Sequence, residues 1–251
     1  MSGILVLTPS IVLACPLQQL TYITEDYPPH NFMKNGTLQG VSVDLLVIAT
    51  KSINCPITAA DIKLMPWTRG YNMALNRPNI VLFGMTKIKE REKLFKWVCS
   101  YMNTQVVLTA RKDAGINIRN KNDLNRLTIG VVKDDIAEKL FRGLDLNPDN
   151  FKYGNNHPET LAKMLVSHRF DAWGYDINVA SWILTRLGYN LNDFETIYSF
   201  KPVPTCYAFS KSTADTTVQL LQKAFNTVYQ QKGKSNNTLL KEIYAKYGLI
   251  N

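Results

Sequence analysis

Short apolar runs alternate along the chain with segments in which apolar residues recur every three or four positions. The runs are typical of buried strands, and the second pattern is typical of helices with one face in a core. In the first part of the chain the predicted strands are residues 20–24, 61–65 and 80–83, and the predicted helices run from residue 42 to 52 and from residue 67 or 68 to 76. Strands that alternate with helices favour a parallel sheet covered by helices, which is an α/β fold.

A second series of the same kind follows. Its predicted strands are residues 127–132, 151–153, 170–175 and 194–200, and its predicted helices are residues 136–142, 158–167 and 177–187; two further helices are predicted at 213–231 and 236–247. The repetition predicts two lobes, each with a mixed or parallel sheet flanked by helices, joined by two hinge strands near 106–110 and 203–207. We expect residues 15–106 and 205–251 to form lobe 1 and residues 107–204 to form lobe 2.

The composition excludes some classes of protein. With 45% hydrophobic and 20% charged residues among 251, the chain resembles an ordinary globular protein. A net charge of +9 is compatible with nucleic-acid binding, but Lys and Arg are scattered and no block of five like charges occurs. Outside the N-terminus no apolar run reaches the roughly 18 residues of a membrane span. We therefore expect neither nucleic-acid binding nor a membrane span.

Patterns of catalytic chemistry are missing from the sequence. His30, His157 and His168 are isolated, with no Ser or Cys nucleophile pattern beside them. No Gly-rich phosphate loop is present. The sequence therefore predicts a protein that is not an enzyme and that needs neither a cofactor nor a metal ion.

The N-terminal segment has the apolar character of a secretion signal. Residues 3–15 are largely apolar, and Val12 and Ala14 are small enough for cleavage before Cys15. We predict a signal segment at residues 1–14 and a periplasmic or otherwise extracytoplasmic protein, although no Lys or Arg precedes the apolar run. Two alternatives stay open: residues 12–15 also resemble a lipobox, which would attach a lipid anchor to Cys15, and the segment would otherwise form a buried strand.

Four cysteines, Cys15, Cys55, Cys99 and Cys206, permit three complete pairings. None forms a CxxC pair and no His stands at ligand spacing, so a zinc site is not expected. In an oxidising compartment we favour Cys15–Cys55, because each precedes a predicted strand and the two strands would lie side by side in a parallel sheet. Cys99 would then pair with Cys206, whereas lipidation of Cys15 would leave Cys55 free.

Candidate binding residues gather beyond the carboxyl ends of the predicted strands, where such sheets bind ligands. Tyr27 follows the first strand, Trp67 the second, and Gly84 and Thr86 the third. Gly84 and Thr86 allow the backbone and a hydroxyl to approach a small ligand. Arg91 follows a turn later and has a fork of donors suited to a carboxylate. The alternative for Arg91 is a surface salt bridge with a neighbouring glutamate.

The segment 80–91 resembles a signature of the family 3 extracellular solute-binding proteins, the periplasmic amino-acid receptors of ABC importers. In that family a Ser or Thr and an Arg five positions later bind the ligand's α-carboxylate, and Thr86 and Arg91 occupy these two positions. The run Tyr27-Pro28-Pro29 is similar to a further family pattern. The resemblance extends from about residue 20 to residue 248, and it implies a two-lobed periplasmic-binding-protein fold of type II.

The resemblance also implies a partner for the ligand's ammonium group. The family carries an Asp five residues after an Asp-Ala pair, and Asp176 stands at that distance from Asp171-Ala172. Because Asp176 ends a predicted strand and begins a predicted helix, a helix N-cap is the alternative role. Where the family usually has a small Gly-Thr pair, this chain has Asp134 and Asp135, whose charges would repel a carboxylate. Their side chains either turn away or meet a cationic group of the ligand.

Aromatic side chains are predicted to wall the ligand, because rings pack on apolar groups and stack on cations. For each candidate core packing is the alternative, and the candidates are Tyr27, Phe32, Trp67, Trp173 and Tyr175. Arg69 lies close to Trp67 on the same predicted helix, and it faces either the cleft or solvent.

Together the residues and the resemblance imply an extracytoplasmic solute-binding protein. It would capture an amino acid or a related small carboxylate by hinge closure and deliver it to the permease of an ABC importer. A monomer is expected. The alternative on the same two-lobed fold is a dehydratase-like enzyme or a sensor module.

Overall fold

The computed structural model describes residues 15–155, 157–233 and 237–249. The predicted signal segment, residues 1–14, lies outside the described residues, as does residue 236, where the last predicted helix begins. The strands are β1 Thr21–Thr24, β2 Phe32–Lys34, β3 Thr37–Gln39, β4 Ile62–Leu64, β5 Ile80–Thr86, β6 Phe95–Thr104, β7 Val106–Arg111, β8 Ile129–Gly130, β9 Phe151–Lys152, β10 Ala172–Asp176, β11 Phe194–Ser199 and β12 Val203–Ser210. The helices are α1 Val41–Ser52, α2 Trp67–Asn76, α3 Lys89–Glu92, α4 Lys121–Leu124, α5 Ile136–Arg142, α6 Pro158–Val166, α7 Ile177–Arg186, α8 Asp215–Gln230 and α9 Leu239–Lys246. None of the helices in these ranges combines the length and the apolar character needed to cross a membrane.

The first sheet contains five strands in the order β4-β1-β5-β12-β6. β1 lies parallel to β4 and β5, whereas β12 runs antiparallel to β5 and β6. Helix α2 packs on β5 and β12, α8 packs on β6, and α1 and α9 pack against α8. We call this sheet with these four helices the first lobe.

The second sheet contains five strands in the order β11-β7-β10-β8-β9. β8 lies parallel to β9 and β10, whereas β7 runs antiparallel to β10 and β11. Helices α5, α6 and α7 pack on β10, and together with the sheet they form the second lobe. Two mixed sheets flanked by helices confirm the predicted two-lobed α/β architecture.

The described chain crosses between the two sheets at two places. β6 continues through Gln105 into β7, and β11 leads through residues 200–202 into β12. The crossings lie side by side, since Val203 pairs with Thr104 in the first sheet. The predicted lobe boundaries after residues 106 and 204 stay a prediction, because the order of strands alone does not show which residues move as one unit.

The predicted helix 136–142 has the observed bounds of α5, and α2 begins at the earlier of its two predicted starts and ends at residue 76 as predicted. The third predicted strand ends too early, at residue 83, because β5 continues through Gly84 to Thr86. The extension exists because β12 pairs with β5 as far as Thr86, which stands opposite Thr205. The prediction also lacks the β2–β3 hairpin and the short helices α3 and α4.

Apolar clusters pack on the sheets and also between the lobes. One cluster lies between the first sheet and helices α1 and α8, where the rings of Tyr207 and Phe225 meet edge to face with centres 4.8 Å apart. Another contains buried side chains of both lobes, among them Tyr27 of the first and Tyr175 of the second. The lobes therefore meet through packed side chains as well as through the crossing strands.

The structure pairs Cys15 with Cys55 and Cys99 with Cys206, so both predicted disulfides are confirmed. Cys15 and Cys55 precede β1 and β4, which are neighbours in the first sheet. Cys99 of β6 stands opposite Cys206 of β12, with Cα atoms 4.1 Å apart. A Cys15 sulfur bonded to Cys55 has no valence left for a thioether, so the structure does not support the lipid anchor.

Candidate functional site

Arg91 lies where the two lobes meet. It belongs to the single turn of α3, shortly after β5 ends at Thr86. Its side chain is 1% exposed, and its Nη1 donates a hydrogen bond of 3.2 Å to the Thr86 hydroxyl. Its Nη2 donates one of 2.7 Å to the backbone carbonyl of Asp134 in the second lobe. A buried side chain does not fit the alternative of a surface salt bridge, and Glu92 pairs with Lys87 instead.

Two aromatic rings of α2 cover the Arg91 guanidinium. Its Cζ lies 5.1 Å from the ring centre of Trp67 and 5.4 Å from that of Tyr71, which are cation–π distances. Trp67 also reaches the second lobe, because its Nε1 donates a hydrogen bond of 3.1 Å to the Asp134 carbonyl. That carbonyl therefore accepts hydrogen bonds from two side chains of the first lobe.

Three carboxyl groups are buried at the same junction, namely Glu25 from the first lobe and Asp135 and Asp176 from the second. Burial raises the pKa of all three, and the charge of Asp135 helps to hold the pKa of Glu25 well above its ordinary value. Arg91 lowers the pKa of Glu25 and Asp135. Among the described residues Arg91 is the one buried Lys or Arg, so acidic groups outnumber basic groups here.

Asp176 ends β10 and caps helix α7, which is the alternative that the sequence offered. Its Oδ1 accepts hydrogen bonds of 2.9 and 3.1 Å from the backbone N–H groups of Asn178 and Val179. Its Oδ2 accepts one of 2.9 Å from the N–H of Gln105, the residue at which the chain crosses between the sheets. Burial raises the pKa of Asp176 to about 6, against the opposing effect of these hydrogen bonds. A carboxylate accepts about four hydrogen bonds, so Oδ2 keeps capacity for a further donor.

The two consecutive aspartates are placed differently. Asp134 has a left-handed φ of 61°, and its backbone carbonyl meets Arg91. Asp135 is the N-cap residue of α5 and is 7% exposed, and its Oδ2 has no hydrogen-bond partner among the described residues. Asp135 is buried directly after the residue whose carbonyl meets Arg91, and its charge raises the pKa of both Glu25 and Asp176.

Aromatic rings from both lobes line the junction. Tyr27 of the first lobe meets Tyr175 of the second edge to face, with ring centres 5.5 Å apart. Tyr175 stacks on Trp173 at 5.2 Å and an angle of 12° between the rings. Trp173 is fully buried in the cluster that spans the lobes, so core packing describes its present contacts.

The last two candidates differ in position. Gly84 lies inside β5 with a φ of +80°, and a Cβ there would stand 3.3 Å from Oδ1 of Asn31, so this position favours glycine. Arg69 is exposed on α2, and the structure does not bring it into the buried group. The structure thus gathers eight of the nine candidates at or beside the junction, namely Arg91, Thr86, Gly84, Asp176, Trp67, Tyr27, Asp135 and Trp173.

Sequence reasoning missed Glu25, Tyr71 and Glu138. Glu25 directly follows β1, so the rule that selected Tyr27 beyond the same strand would have found it. Tyr71 stands four residues after Trp67 and therefore shares its helix face, which is a readable spacing. Glu138 pairs with Arg142 four residues later on α5, which is also a readable spacing, but its hydrogen bonds from the Asp134 N–H and the Tyr153 hydroxyl have no such signal.

The fold and the junction define a class of protein: two α/β lobes that share a buried site of charged and aromatic groups. Residues 20–249 match the family model of the bacterial extracellular solute-binding proteins, family 3. The chain belongs to this family. The resemblance stated from the sequence is confirmed, as is the predicted extracytoplasmic location.

Relatives and solved structures agree with this assignment. The arginine-binding extracellular protein ArtP of Bacillus subtilis (strain 168) is 28% identical over 149 residues, which are 59% of this chain and 56% of ArtP. The match thus spans little more than half of that relative. The arginine-, lysine-, histidine-binding protein ArtJ from Geobacillus stearothermophilus superposes with a TM-score of 0.74 at 19% identity, over 91% of this chain and 94% of ArtJ. A histidine kinase sensor domain with similarity to periplasmic binding proteins superposes with a TM-score of 0.75 at 16% identity, over 92% of this chain and 96% of that domain. At these identities the two structures show a shared fold alone.

Proposed function

We propose that this protein captures an amino acid with a cationic side chain between its two lobes and delivers it to an ABC importer. The observation that carries the proposal is the buried junction, where one guanidinium, that of Arg91, is outnumbered by the carboxyl groups of Glu25, Asp135 and Asp176. Buried charges are costly unless opposite charges compensate them. A ligand with one carboxylate and two cations supplies that compensation.

The ligand's α-carboxylate is assigned to Arg91 and Thr86. Nη1 of Arg91 lies 3.2 Å from the Thr86 hydroxyl, so the two groups are side by side, and Nε of Arg91 is buried without a hydrogen-bond partner among the described residues. A planar guanidinium binds a carboxylate through two parallel hydrogen bonds. Gly84, two residues before Thr86 on β5, leaves room for backbone to approach the ligand.

The two cations are assigned to the acidic groups of the junction. Asp176 takes the α-ammonium, because its Oδ2 keeps capacity for a donor beside the N–H of Gln105. Asp135, whose Oδ2 is buried without a partner among the described residues, takes the side-chain cation together with Glu25. Three acidic groups thus face one guanidinium, and a ligand of net charge +1 reduces this excess of acidic groups.

Closure around the ligand follows from the placement of these groups on different lobes. The first lobe contributes Arg91, Thr86, Glu25, Trp67 and Tyr27. The second lobe contributes Asp135, Asp176, Tyr175 and Trp173. A ligand that binds both sets stabilises the arrangement in which the lobes meet. The rings exclude water and so strengthen the charge pairs.

The relatives support the choice of ligand. ArtP carries the name of an arginine-binding protein, and ArtJ that of an arginine-, lysine- and histidine-binding protein. L-Arginine is therefore the first candidate. The protein acts as a monomeric carrier without catalysis of its own.

Matched analogues of arginine test the proposal by isothermal titration calorimetry. Citrulline keeps the length of the side chain but lacks its charge, and agmatine lacks the carboxylate. We expect L-arginine to bind with a micromolar dissociation constant, about −8 kcal/mol, and each analogue to bind at least about tenfold more weakly because one buried charge loses its partner. Arg91→Ala should remove the preference for arginine over agmatine. Citrulline that binds as tightly as arginine would refute the assignment of a cationic side chain.

A sensor module is the second candidate, favoured by the similarity to a kinase sensor domain. Capture of the solute would be the same, and only the partner would differ. Uptake of labelled arginine by cells with and without the gene separates the two functions, because loss of uptake is expected for an importer receptor alone.

Mass spectrometry of arginine after incubation with the protein checks the enzyme alternative, and we expect the ligand to return unchanged.

A further inference from the structure

Glu138 of α5 is a buried carboxylate outside the groups assigned to the ligand. It is 5% exposed, and its Oε2 accepts a hydrogen bond of 2.6 Å from the backbone N–H of Asp134. Its Oε1 accepts one of 2.6 Å from the Tyr153 hydroxyl and one of 2.9 Å from Nε of Arg142. Burial alone would raise the pKa of Glu138, but these hydrogen bonds outweigh burial and lower the pKa. The group is therefore an ionised carboxylate with both oxygens engaged.

Asp134, whose N–H donates to Glu138, has a left-handed backbone conformation. Asp134 has a φ of 61°, in the left-handed region that few residues other than glycine adopt. Its carbonyl accepts hydrogen bonds from Arg91 at 2.7 Å and Trp67 at 3.1 Å, both from the other lobe. The N–H of Asp134 is thus fixed within the second lobe, and its carbonyl forms the contact between the lobes.

We propose that Glu138 is a positioning residue for the binding site. By accepting the Asp134 N–H it fixes the left-handed turn, so that the Asp134 carbonyl meets Arg91 and Trp67 and the Asp135 carboxyl faces the junction. Glu138 itself touches no ligand. The effect on the turn is independent of which solute is bound, whereas the effect on arginine affinity rests on the proposed function.

Glu138→Gln is a sharp test because every partner of this carboxylate donates a hydrogen bond. An amide offers one acceptor oxygen and one donor nitrogen, so it accepts either from the Asp134 N–H or from Tyr153 and Arg142, but not from both sides. Glu138→Asp keeps the charge but withdraws the carboxylate, and it replaces Glu138→Gln if that variant does not fold. Lys139→Gln is the control, since Lys139 lies next to Glu138 on α5 and lines the same groove.

The first measurement needs no ligand. The indole N–H of Trp67 donates to the Asp134 carbonyl only while the lobes meet, as they do in the structure, and the turn is in place. We expect its hydrogen exchange, followed by NMR and assigned with Trp67→Phe, to be about tenfold faster in both Glu138 variants and unchanged in Lys139→Gln. Adding Asp134→Gly to Glu138→Gln should slow the exchange again, because glycine adopts a positive φ without support. Unchanged exchange in the Glu138 variants, or no recovery with glycine, would overturn the proposal.

The second measurement is the affinity for L-arginine. We expect the dissociation constant of Glu138→Gln to rise about tenfold, mainly through faster dissociation, and to recover in part with Asp134→Gly. A role in folding alone predicts a lower melting temperature with unchanged affinity and unchanged Trp67 exchange, and that result would overturn the proposal. The protein could bind no arginine while its Trp67 exchange still changes in the Glu138 variants. That result would contradict the proposed function and support the positioning role.

Discussion

At the scale of single residues, burial and charge oppose each other in the junction between the lobes. Burial raises the pKa of Glu25, Asp135 and Asp176 and lowers that of Arg91, so each charged form is less favourable here than in water. An oppositely charged ligand group compensates this loss. The ionised site is therefore expected to gain stability from the ligand that it binds.

Arginine affinity should rise as the pH increases from about 5 to about 7. Asp176 has a pKa of about 6 because it is buried, so it is mainly protonated at the lower pH and mainly ionised at the higher one. The ionised form attracts the α-ammonium, while the charges of arginine itself stay constant over this range. We expect the dissociation constant, measured by calorimetry, to fall by up to about tenfold.

Asp176→Asn is the control for this pH dependence, because Glu25 and Asp135 in the same junction also have a raised pKa. The variant should bind arginine more weakly at neutral pH, and its affinity should rise less with pH. An unchanged pH profile would contradict the role of Asp176.

The stability of the ligand-free protein should depend on pH in the opposite direction. A raised pKa of Asp176 means that the folded protein binds more protons than the unfolded chain, so the melting temperature should fall as pH rises from about 4 through 6.

How far the sequence predicts each residue depends on how local its contacts are. Thr86 and Arg91 are five positions apart, and their hydrogen bond follows from one strand end and one helical turn. The orientation of Asp135 was left open, because it depends on the left-handed backbone of Asp134 and on Glu138. A pair of adjacent aspartates carries no pattern that shows which one turns inward.

At the scale of elements, apolar runs predict strands that lie inside a sheet but not how far they extend. β5 reaches Thr86 because β12, more than a hundred residues later in the chain, pairs with it. Gly84 has the appearance of a strand end in the sequence, yet in the structure it is a strand residue with positive φ. The start of α5 was predicted as observed and that of α2 to within one residue, because both starts are set locally, by Pro66 before α2 and by Asp135 before α5.

The two disulfides should contribute differently to stability. Cys15–Cys55 spans 40 residues and Cys99–Cys206 spans 107, and the two loops do not overlap. In the chain-entropy model these bonds stabilise the fold by about 4 and about 5 kcal/mol. We therefore expect Cys99→Ala/Cys206→Ala to lower the free energy of unfolding by about 1 kcal/mol more than Cys15→Ala/Cys55→Ala.

Urea unfolding of both double variants, followed by circular dichroism, measures this difference. All four cysteines are buried or half-buried, so the loss of packing in each pair is similar. The reverse order would mean that local packing around Cys55, rather than the length of the closed loop, decides the contribution.

At the scale of the whole molecule, the lobes also meet at the outer edge of the cleft. Phe32 of β2 packs on Trp182 of α7 with ring centres 5.3 Å apart, and Tyr247 lies 6.0 Å from Phe32. Nearby, Arg186 of α7 lowers the pKa of Asp26, which follows β1, although burial raises it overall. None of these groups is assigned to the ligand, so they affect binding through the contact between the lobes alone.

Trp182→Ala should therefore weaken arginine binding without changing which analogue is preferred. An aromatic pair contributes about 0.5–1.5 kcal/mol, which corresponds to a rise in the dissociation constant of about 2- to 12-fold. Because the contact exists only while the lobes meet, we expect stopped-flow fluorescence to show faster dissociation and an unchanged association rate. Tyr198→Ala is the matched control, since Tyr198 is also half-buried but packs on Phe141 within the second lobe. Equal weakening in the two variants would show that the Phe32–Trp182 contact has no special part in closure.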